Sequence, residues 1–376
     1  MASTISQQAA RIVADVRRRG DAALDYWRRR LGDAQGAISV SPRELERGWD
    51  ATPLDVRRAL RLAAKNIRIV ARAQRPQPFA VSPMPGIRIE QRVVPFDRVG
   101  CYVPAGRFPL PSSLLMTAVT ARTAGVAEII AVCPKPTAVI FAAAVEAGVD
   151  RFFRVGGAQA IAALAYGTPT VPGVDKIAGP GNAWVSAAKS LVAADCAIDM
   201  QAGPSEIAIY SNTGDPAWIA ADLRAQLEHD PKARGILVTM NRALARAIRT
   251  GVPRAEVHLA TSRRKAIAAM NALAPEHAVC DSAADARALR TAGTVFVGKW
   301  SAQAGGDYAT GSNHVLPTGG AARWRGGLSA ADFVRVFTVQ TLTRAGIGAI
   351  APAAMTLARA EGLVEHEASI KLRARP

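Results

Sequence analysis

The sequence predicts an α/β protein with parallel, helix-covered sheets, and three observations favour this fold class. Between residues 99 and 166, short apolar runs of strand length alternate with segments that have apolar residues at helical spacing. Glycine-containing turns follow several of the predicted strands. The same alternation begins again after Gly203, so we expect two sheet units.

The chain before residue 99 predicts a helical region followed by one strand. Apolar residues recur at helical spacing along much of residues 4–80. Ser41, followed by Pro42 and Glu44, is typical of a helix start, with Ser41 as the cap. Residues 87–95 alternate between apolar and polar side chains, which predicts a strand.

The remaining predicted elements follow in chain order. In the first sheet unit, we expect strands at 99–103, 128–133 and 151–155 and helices at 113–125, 138–147 and 158–166. In the second, we expect strands at 206–210, 235–240 and 294–297 and helices at 216–228, 242–250 and 263–273. From residue 329 onward we expect mainly helix, with Pro352 at a helix start.

The composition argues against several classes of protein. Hydrophobic residues make up 49% of the chain, as in a globular rather than a disordered protein. No apolar run approaches the roughly 18–20 residues that cross a bilayer, and the basic N-terminus has no apolar secretion segment. We therefore expect a cytoplasmic protein without a membrane partner. The four cysteines form no C-x-x-C pair, so we expect neither a disulfide framework nor a thiolate zinc site.

The net charge of +17 has two interpretations. A nucleic-acid-binding surface is one, but the arginines are spread over predicted helices, with little aromatic interleaving and no nucleic-acid-binding motif. We therefore favour a compositional bias toward arginine and expect no nucleic-acid partner. A smaller consequence is the electrostatic attraction of anionic cofactors such as dinucleotides.

Most of the histidines lie in short polar clusters in the C-terminal half of the chain. The four that have acidic or amide neighbours are His229, His277, His314 and His366. Imidazole beside carboxylate suits both a zinc site and proton transfer. The fifth, His258, lies outside such a cluster and serves as an internal control.

Gln226 and His229 predict one half of a metal site. They are three residues apart inside a predicted helix, so they share one face. Asp307 and His366 could supply the other half from distant loops, and such a set of nitrogen and oxygen ligands would suit zinc. Glutamine is an uncommon zinc ligand, and the Gln-x-x-His spacing by itself favours a solvated helix face.

Glu276 and His277 are adjacent, follow Pro275, and could act as two separate proton carriers. Histidine exchanges protons near neutral pH, and a glutamate in a dry pocket can be tuned to activate water. For Pro-Glu-His alone, the more common interpretation is a helix N-terminus with an acidic first turn.

Three glycine-containing turns could bind an anion or hydroxyl group. Gly156 and Gly157 join a predicted strand to a helix, an arrangement that presents backbone N–H groups to an anion. The others lie at residues 178–182 and 201–206. None has the G-x-G-x-x-G pattern, and each alone is more often a tight turn. Ser205 in the third turn lacks a G-x-S-x-G context, so we do not expect a hydrolase nucleophile.

Taken together, these segments resemble the histidinol dehydrogenase family from about residue 10 to residue 373. The matching phrases are long and occur in the same order: VGCYVPAG (99–106), GGAQAIAALAYGT (156–168), DKIAGPGNAWV (175–185), AIDMQAGPSEI (197–207), QLEHD (226–230), APEH (274–277), GDYATGSNHVLPT (306–318) and EGLVEH (361–366). Several such phrases in order are far more specific than any single motif.

The resemblance implies a zinc- and NAD-dependent, four-electron oxidation of L-histidinol to L-histidine through histidinal, the last step of histidine biosynthesis. It implies one zinc ion per subunit, held by Gln226, His229, Asp307 and His366. Glu276 and His277 would be catalytic, with His277 taking the alcohol proton and Glu276 activating water. The positions that match NAD contacts are Tyr102, Gln159 and Asn182. The positions that match substrate contacts are Ser205, His314 and Glu361, together with His277 and the four zinc ligands.

The family also implies a fold and an assembly. It is related to aldehyde dehydrogenases and has two incomplete Rossmann-like units, with a helical N-terminal region and a helical C-terminal tail. On this basis we expect residues 1–98 and 207–328 in a discontinuous first unit, 99–206 in a second, NAD-binding unit, and 329–376 in a dimerisation tail. The family forms a homodimer with exchanged tails, so Glu361 and His366 would act in the other subunit's site.

Three departures from the family pattern leave alternatives open. The segment of residues 240–274 is shorter than expected for the family, and Gln201 replaces an expected proline. Arg107 stands where many members have a small residue or lysine. An arginine at this position resembles relatives that oxidise anionic diols such as sulfopropanediol, because arginine pairs well with oxyanions. A related zinc- and NAD-dependent dehydrogenase for another amino alcohol or an anionic diol is therefore the main alternative. A zinc hydrolase that uses Glu276 and turns over without NAD is another.

Overall fold

The computed structural model describes residues 2–33, 36–105, 109–200 and 203–374. The chain divides into two compact units. The first consists of Met1–Gln74 and Phe96–Phe333, and the second consists of Arg75–Pro95 and Val334–Pro376.

The helices of the described residues make up nearly half of the chain. They are α1 (Ala2–Arg19), α2 (Asp21–Arg30), α3 (Pro42–Ala51), α4 (Leu54–Gln74), α5 (Pro111–Ala124), α6 (Ala138–Ala147), α7 (Gly157–Tyr166), α8 (Ala183–Val192), α9 (Pro216–Leu227), α10 (Arg242–Gly251), α11 (Arg263–Leu273), α12 (Ala283–Ala288), α13 (Gln303–Tyr308), α14 (Arg344–Ala360) and α15 (Val364–Ala374). Short 3₁₀ helices span Ala321–Arg323 and Ala330–Phe333.

The strands are mostly short and lie between these helices. They are β1 (Ser39–Val40), β2 (Phe79–Val81), β3 (Ile87–Pro95), β4 (Arg98–Tyr102), β5 (Glu128–Val132), β6 (Arg151–Phe153), β7 (Lys176–Ala178), β8 (Ala197–Ile198), β9 (Glu206–Tyr210), β10 (Arg234–Thr239), β11 (Glu256–Leu259), β12 (His277–Cys280), β13 (Thr294–Val297) and β14 (Val334–Leu342).

The first unit contains two sheets with the same parallel topology. One has the strand order β1-β6-β5-β4-β7-β8, in which only β1 is antiparallel to its neighbour. The other has the order β11-β10-β9-β12-β13 and is parallel throughout. Counting the parallel strands of each sheet in chain order gives 3-2-1-4-5 in both, which is the arrangement of a Rossmann sheet with one strand missing. The predicted α/β class with two incomplete Rossmann-like units is therefore confirmed.

The N-terminal helices pack on the six-stranded sheet. Helix α1 is amphipathic and buries Ile12 and Val16 in one core with Phe153 of β6 and Ile161 of α7. Burying this apolar stripe determines where α1 lies. The expected division assigned residues 1–98 to the sheet of residues 207–328, whereas these helices cover the sheet of residues 99–206.

Helix α3 begins as the sequence predicts. Pro42 is its first residue, and the Ser41 hydroxyl accepts a hydrogen bond from the Glu44 backbone N–H at 3.3 Å. The Glu44 carboxylate accepts a hydrogen bond from the Arg154 guanidinium, beside β6. The helix start is therefore tied to the edge of the six-stranded sheet.

The second unit is less helical than predicted. Strand β14 pairs with β3 along its whole length, and β3 also pairs with β2, all antiparallel. The expectation of a mainly helical region from residue 329 is wrong over β14, where alternating side chains form a strand. Pro352 is also not at a helix start: it lies inside α14, whose N-terminus is capped at Thr343 by a hydrogen bond from the Gly346 N–H.

None of the helices in the described ranges combines the length and the apolar character that a bilayer crossing requires.

A buried ion pair fixes the turn that follows β7. The side chains of Lys189 and Asp199 are 3% and 0% exposed and form a direct ion pair. Lys189 also donates to the Gly179 carbonyl at 2.8 Å, and Asp199 Oδ2 accepts from the Gly179 N–H at 2.7 Å. The pair therefore holds both backbone polar groups of Gly179.

Because a buried charge without its partner is costly, Lys189→Met is expected to lower the free energy of unfolding by about 3–5 kcal/mol. The exposed Arg18, which pairs with Asp15 at 3.3 Å, provides the matched control. Arg18→Met is expected to cost less than about 1 kcal/mol. Denaturant unfolding of both variants measures the difference, and equal losses would contradict the role assigned to the buried pair.

Candidate active site

A cavity of about 220 Å³ lies in the first unit, between the carboxyl ends of the six-stranded sheet and the amino ends of the five-stranded sheet. Gly179 and Gly181 reach it from the turn after β7. Polar side chains near the amino ends of the other sheet, and from α13 and the loop after it, surround the rest of the cavity: Ser205, His229, Glu276, His277, Asp307 and His314. Six of the predicted site residues are therefore brought to one cavity.

The pairing of β12 with β9 positions Glu276. His277 lies opposite Ile207 in parallel register, so Glu276 comes level with the start of β9. Its Oε2 accepts hydrogen bonds from the Ser205 hydroxyl at 2.5 Å and from the Glu206 backbone N–H at 3.0 Å. Glu276 immediately precedes β12, so the alternative of a helix N-terminus with an acidic first turn is wrong.

Burial raises the pKa of Glu276 above its ordinary value. The residue is 7% exposed, and desolvation penalises its charged form. The charge of His277 and the hydrogen bonds from Ser205 and Glu206 lower the pKa but do not cancel the effect of burial. Glu276 Oε1 receives no hydrogen bond from a described residue. A carboxylate of this kind can accept a proton.

His277 is held between two carboxylates. Its Nε2 lies 3.2 Å from Asp307 Oδ1, and its Nδ1 lies 3.7 Å from Glu276 Oε2. Burial by itself would lower the pKa of His277, but the hydrogen bond to Asp307 and the charges of Glu276 and Asp307 outweigh it, so the pKa is raised. The buried Nδ1 has no hydrogen-bond partner among the described residues. In the neutral ring with Nε2–H directed to Asp307, Nδ1 carries a lone pair.

Gln303 is a site residue that the sequence interpretation missed. It is 1% exposed, donates from Nε2 to Asp307 Oδ2, and lies 3.5 Å from His277 Nε2. It precedes Asp307 by four residues on α13, so the two share one helix face. That spacing was visible in the sequence and could have identified Gln303.

His314 is fixed by two contacts. Its Nδ1 lies 2.7 Å from the Asp307 backbone carbonyl, and its Nε2 lies 3.3 Å from the hydroxyl of Ser113 on α5. Burial lowers the pKa of His314 below its ordinary value, which favours the neutral ring. The contact to Ser113 joins residues 201 positions apart, and no sequence pattern indicated it.

The expected ligands Gln226 and His229 do not share a helix face. Helix α9 ends at Leu227, so Gln226 lies in its last turn and His229 lies beyond it, at the cavity. The helix stops here because Pro231 disfavours helical geometry at Asp230. Gln226 is fully buried, donates from Nε2 to the Ser205 hydroxyl at 2.6 Å, and has an Oε1 with no hydrogen-bond partner among the described residues.

The remaining predicted ligands are distributed over both units. Asp307 lies in the first unit, bonded to His277 and Gln303. Glu361 and His366 belong to the second unit, where both are exposed, at the end of α14 and in α15. Within the described ranges, no three His, Cys, Asp or Glu side chains are grouped closely enough to hold a metal ion.

A larger cavity of about 620 Å³ lies at the carboxyl end of the six-stranded sheet. Tyr102, Gln159 and Asn182, the three residues expected to contact NAD, all line it. Asn182 caps α8 by accepting hydrogen bonds from the N–H groups of Trp184 and Val185. Gln159 is 1% exposed, and its Oε1 has no partner among the described residues.

The backbone N–H groups of Gly156 and Gly157 are not free to bind an anion, although the sequence interpretation offered this turn as an anion site. The Gly156 N–H donates to Asp33 Oδ2 at 3.0 Å, and the Gly157 N–H donates to the Tyr102 hydroxyl at 3.1 Å. Side chains from distant parts of the chain have therefore occupied the N-terminus of α7. Arg107 and Gln201, two of the departures from the family pattern, lie outside the described residues.

Comparisons with known proteins agree on one family. The family model for histidinol dehydrogenase matches residues 1–374. The histidinol dehydrogenases of Methylococcus capsulatus and Bordetella parapertussis are 41% and 42% identical over 99% and 98% of this chain, and 92% and 91% of those relatives are covered. The crystal structure of histidinol dehydrogenase from Elizabethkingia anophelis has a TM-score of 0.93 and 30% identity, covering 98% of this chain and 91% of that chain.

Cys280 is excluded as a nucleophile by its position. It is three residues along β12 from His277, a distance of about 10 Å along the strand. It is 1% exposed in a core with Ala208 and Met270, and burial raises the pKa of its thiol to about 11. A buried, protonated thiol is a poor nucleophile.

Cys280→Ala is therefore expected to keep kcat/KM within about twofold, because a buried, protonated thiol is not placed to form a bond with a substrate. His277→Ala, on the same strand, is expected to lose about 10²–10⁴-fold. Steady-state rates measure both, and circular dichroism checks the fold. An inactive but folded Cys280→Ala would contradict the assignment.

Proposed function

We propose that this chain, which belongs to the histidinol dehydrogenase family, oxidises L-histidinol to L-histidine with zinc and NAD. The reaction removes four electrons in two steps, with the aldehyde histidinal between them. The observation that carries the proposal is the pair of adjacent proton-accepting groups, Glu276 and His277, held at one cavity by separate hydrogen-bond partners. Two adjacent proton acceptors suit two oxidations at one carbon, because one can take the proton of the alcohol and the other can take the proton of the attacking water.

In the first oxidation, His277 takes the proton of the alcohol. The Asp307 carboxylate beside Nε2 supports this role, because it fixes the ring and stabilises the charge that the ring gains. Gln303 in turn holds Asp307, and so it helps to fix the geometry of the imidazole. NAD supplies the hydride acceptor for each oxidation.

In the second oxidation, Glu276 activates the water that attacks the aldehyde. Its Oε1 is not engaged by a described residue, and burial already raises its pKa, so a proton from water is accepted readily. Ser205 and the Glu206 N–H hold Oε2 and keep the carboxylate from rotating. The two residues therefore divide the two steps.

The cavity lies beside residues whose donor atoms suit a zinc ion. We propose Gln226, His229 and Asp307 of one subunit and His366 of the other as ligands, a set of nitrogen and oxygen donors that zinc accepts. The buried Gln226 Oε1, which lacks a hydrogen-bond partner among the described residues, supports this choice because such an atom is costly without one. A bound zinc ion supplies a template that orients the imidazole and amino groups of the substrate.

The cavity lined by Tyr102, Gln159 and Asn182 is proposed as the NAD site. Its position at the carboxyl end of a parallel sheet is where such sheets bind dinucleotides. The unpartnered Oε1 of Gln159 offers an acceptor for a cofactor hydroxyl or amide group.

We also propose a homodimer in which the tail of each subunit completes the site of the other. Helix α15 has no buried residue, and its Val364 and Leu372 are 68% and 65% exposed. Apolar side chains left open in this way favour burial against another chain. Glu361 and His366 would then contact the substrate and zinc of the partner's site.

An anionic diol such as sulfopropanediol stays the alternative substrate because of Arg107. A zinc hydrolase is disfavoured, because its mechanism gives the large second cavity no task.

The proposal is tested by the products formed from L-histidinol, NAD and zinc-loaded protein. We expect two NADH per histidine, because both oxidations occur at the same site. Removal of metal with a chelator is expected to abolish turnover, and zinc is expected to restore it. NADH formation only with the anionic diol, or turnover without NAD, would contradict the proposal.

The control variant is His258→Ala. His258 lies on β11 with its side chain 53% exposed, and its Nε2 is 3.8 Å from Glu256. Its loss removes an imidazole without touching the cavity, so the stoichiometry and rate should stay those of the unaltered protein.

A further inference from the structure

Asp33 binds the N-terminus of α7, the helix that follows the third parallel strand of the six-stranded sheet, β6. Backbone N–H groups at a helix N-terminus can receive a phosphate, and a Rossmann sheet uses the helix after its first strand for this purpose. Here the Gly156 N–H is bound to Asp33 Oδ2 at 3.0 Å, and the Gly157 N–H is bound to the Tyr102 hydroxyl. A carboxylate that lines the cavity therefore binds this helix N-terminus.

The second oxygen of Asp33 is left to accept further hydrogen bonds. Asp33 is 8% exposed and lines the cavity of about 620 Å³. Its Oδ2 also accepts from Gln159 Nε2 at 3.2 Å, whereas no described group donates to Oδ1. Gln159 Oε1, in the same cavity wall, is buried without a partner among the described residues. Two adjacent acceptors without donors suit a ligand that brings hydroxyl groups.

Cationic side chains line other parts of the same cavity. Arg11, Arg30 and Lys135 are exposed members of its wall and can neutralise phosphate groups. The phosphates of a dinucleotide and its ribose hydroxyls therefore have separate partners in this cavity. Carboxylates bind the two hydroxyls of a ribose well, and a phosphate in place of one hydroxyl would meet a like charge.

We propose that Asp33 determines the choice between NAD and NADP, by accepting hydrogen bonds from the adenosine ribose and repelling a 2′-phosphate. The inference rests on the proposed function, because it takes this cavity to be the dinucleotide site. Asp33 comes from the loop after α2, so the N-terminal helices contribute to cofactor selection as well as to the core.

Calorimetric binding of ADP-ribose and 2′-phospho-ADP-ribose measures this choice without requiring turnover. For the unaltered protein we expect ADP-ribose to bind at least about tenfold more tightly than its 2′-phosphate, and 2′-deoxy-ADP-ribose to bind at least about tenfold more weakly than ADP-ribose. These results do not depend on the folding of any variant.

Asp33→Asn keeps an oxygen that can accept from Gly156 but removes the charge, so the preference for ADP-ribose is expected to fall by about tenfold or more. Asp33→Glu keeps the charge and should keep most of the preference. Asp50→Asn is the matched control, because its side chain is 78% exposed and its loss changes the net charge equally.

An unaltered preference in Asp33→Asn, or equal binding of the deoxy and hydroxyl ligands, overturns the inference while NAD-dependent oxidation of histidinol still stands. If the unaltered protein binds neither nucleotide, both the inference and the proposed NAD site fail. The two failures are therefore distinguishable.

Discussion

The site depends on the parallel pairing of β12 with β9. This register sets Glu276 level with the start of β9, where Ser205 and the Glu206 N–H hold one carboxylate oxygen. A one-residue shift of this register would move the side chains of Glu276 and His277 each to the other face of the sheet. Because β9 and β12 are central strands of a five-stranded parallel sheet, the core on both faces resists such a shift.

The two sheets share a strand order but contribute opposite ends to the chemistry. The six-stranded sheet presents its carboxyl ends, where Tyr102 and the turn at Gly179 lie, as open parallel sheets commonly do. The five-stranded sheet presents its amino ends, so Glu276 precedes a strand and His277 begins it, and neither follows one. The buried pair of Lys189 and Asp199 holds the Gly179 turn at this junction.

The sequence predicted most of the fold because its local patterns agree with the tertiary structure. Strand β9 and helix α11 have the predicted bounds, since apolar runs and caps define them. Strand β12 was not predicted, because four residues after Pro-Glu-His contain too little pattern to separate strand from helix. The contacts of His314 with Ser113, and of Asp33 with Gly156, join distant residues, and only the folded chain brings them together. Pro352 was misplaced because a proline inside a helix resembles one at its start.

The central claim is that His277 and Glu276 divide the two oxidations, and the most direct measurement is the NADH formed per active site by Glu276→Gln. The amide of this variant can still accept a hydrogen bond from Ser205 but cannot take a proton from water. With L-histidinol, excess NAD and a hydrazine that traps aldehydes, the account predicts one NADH per trapped histidinal and no histidine. Two NADH per histidine from this variant would contradict the division of labour, as would complete loss of the first NADH in a folded protein that retains zinc.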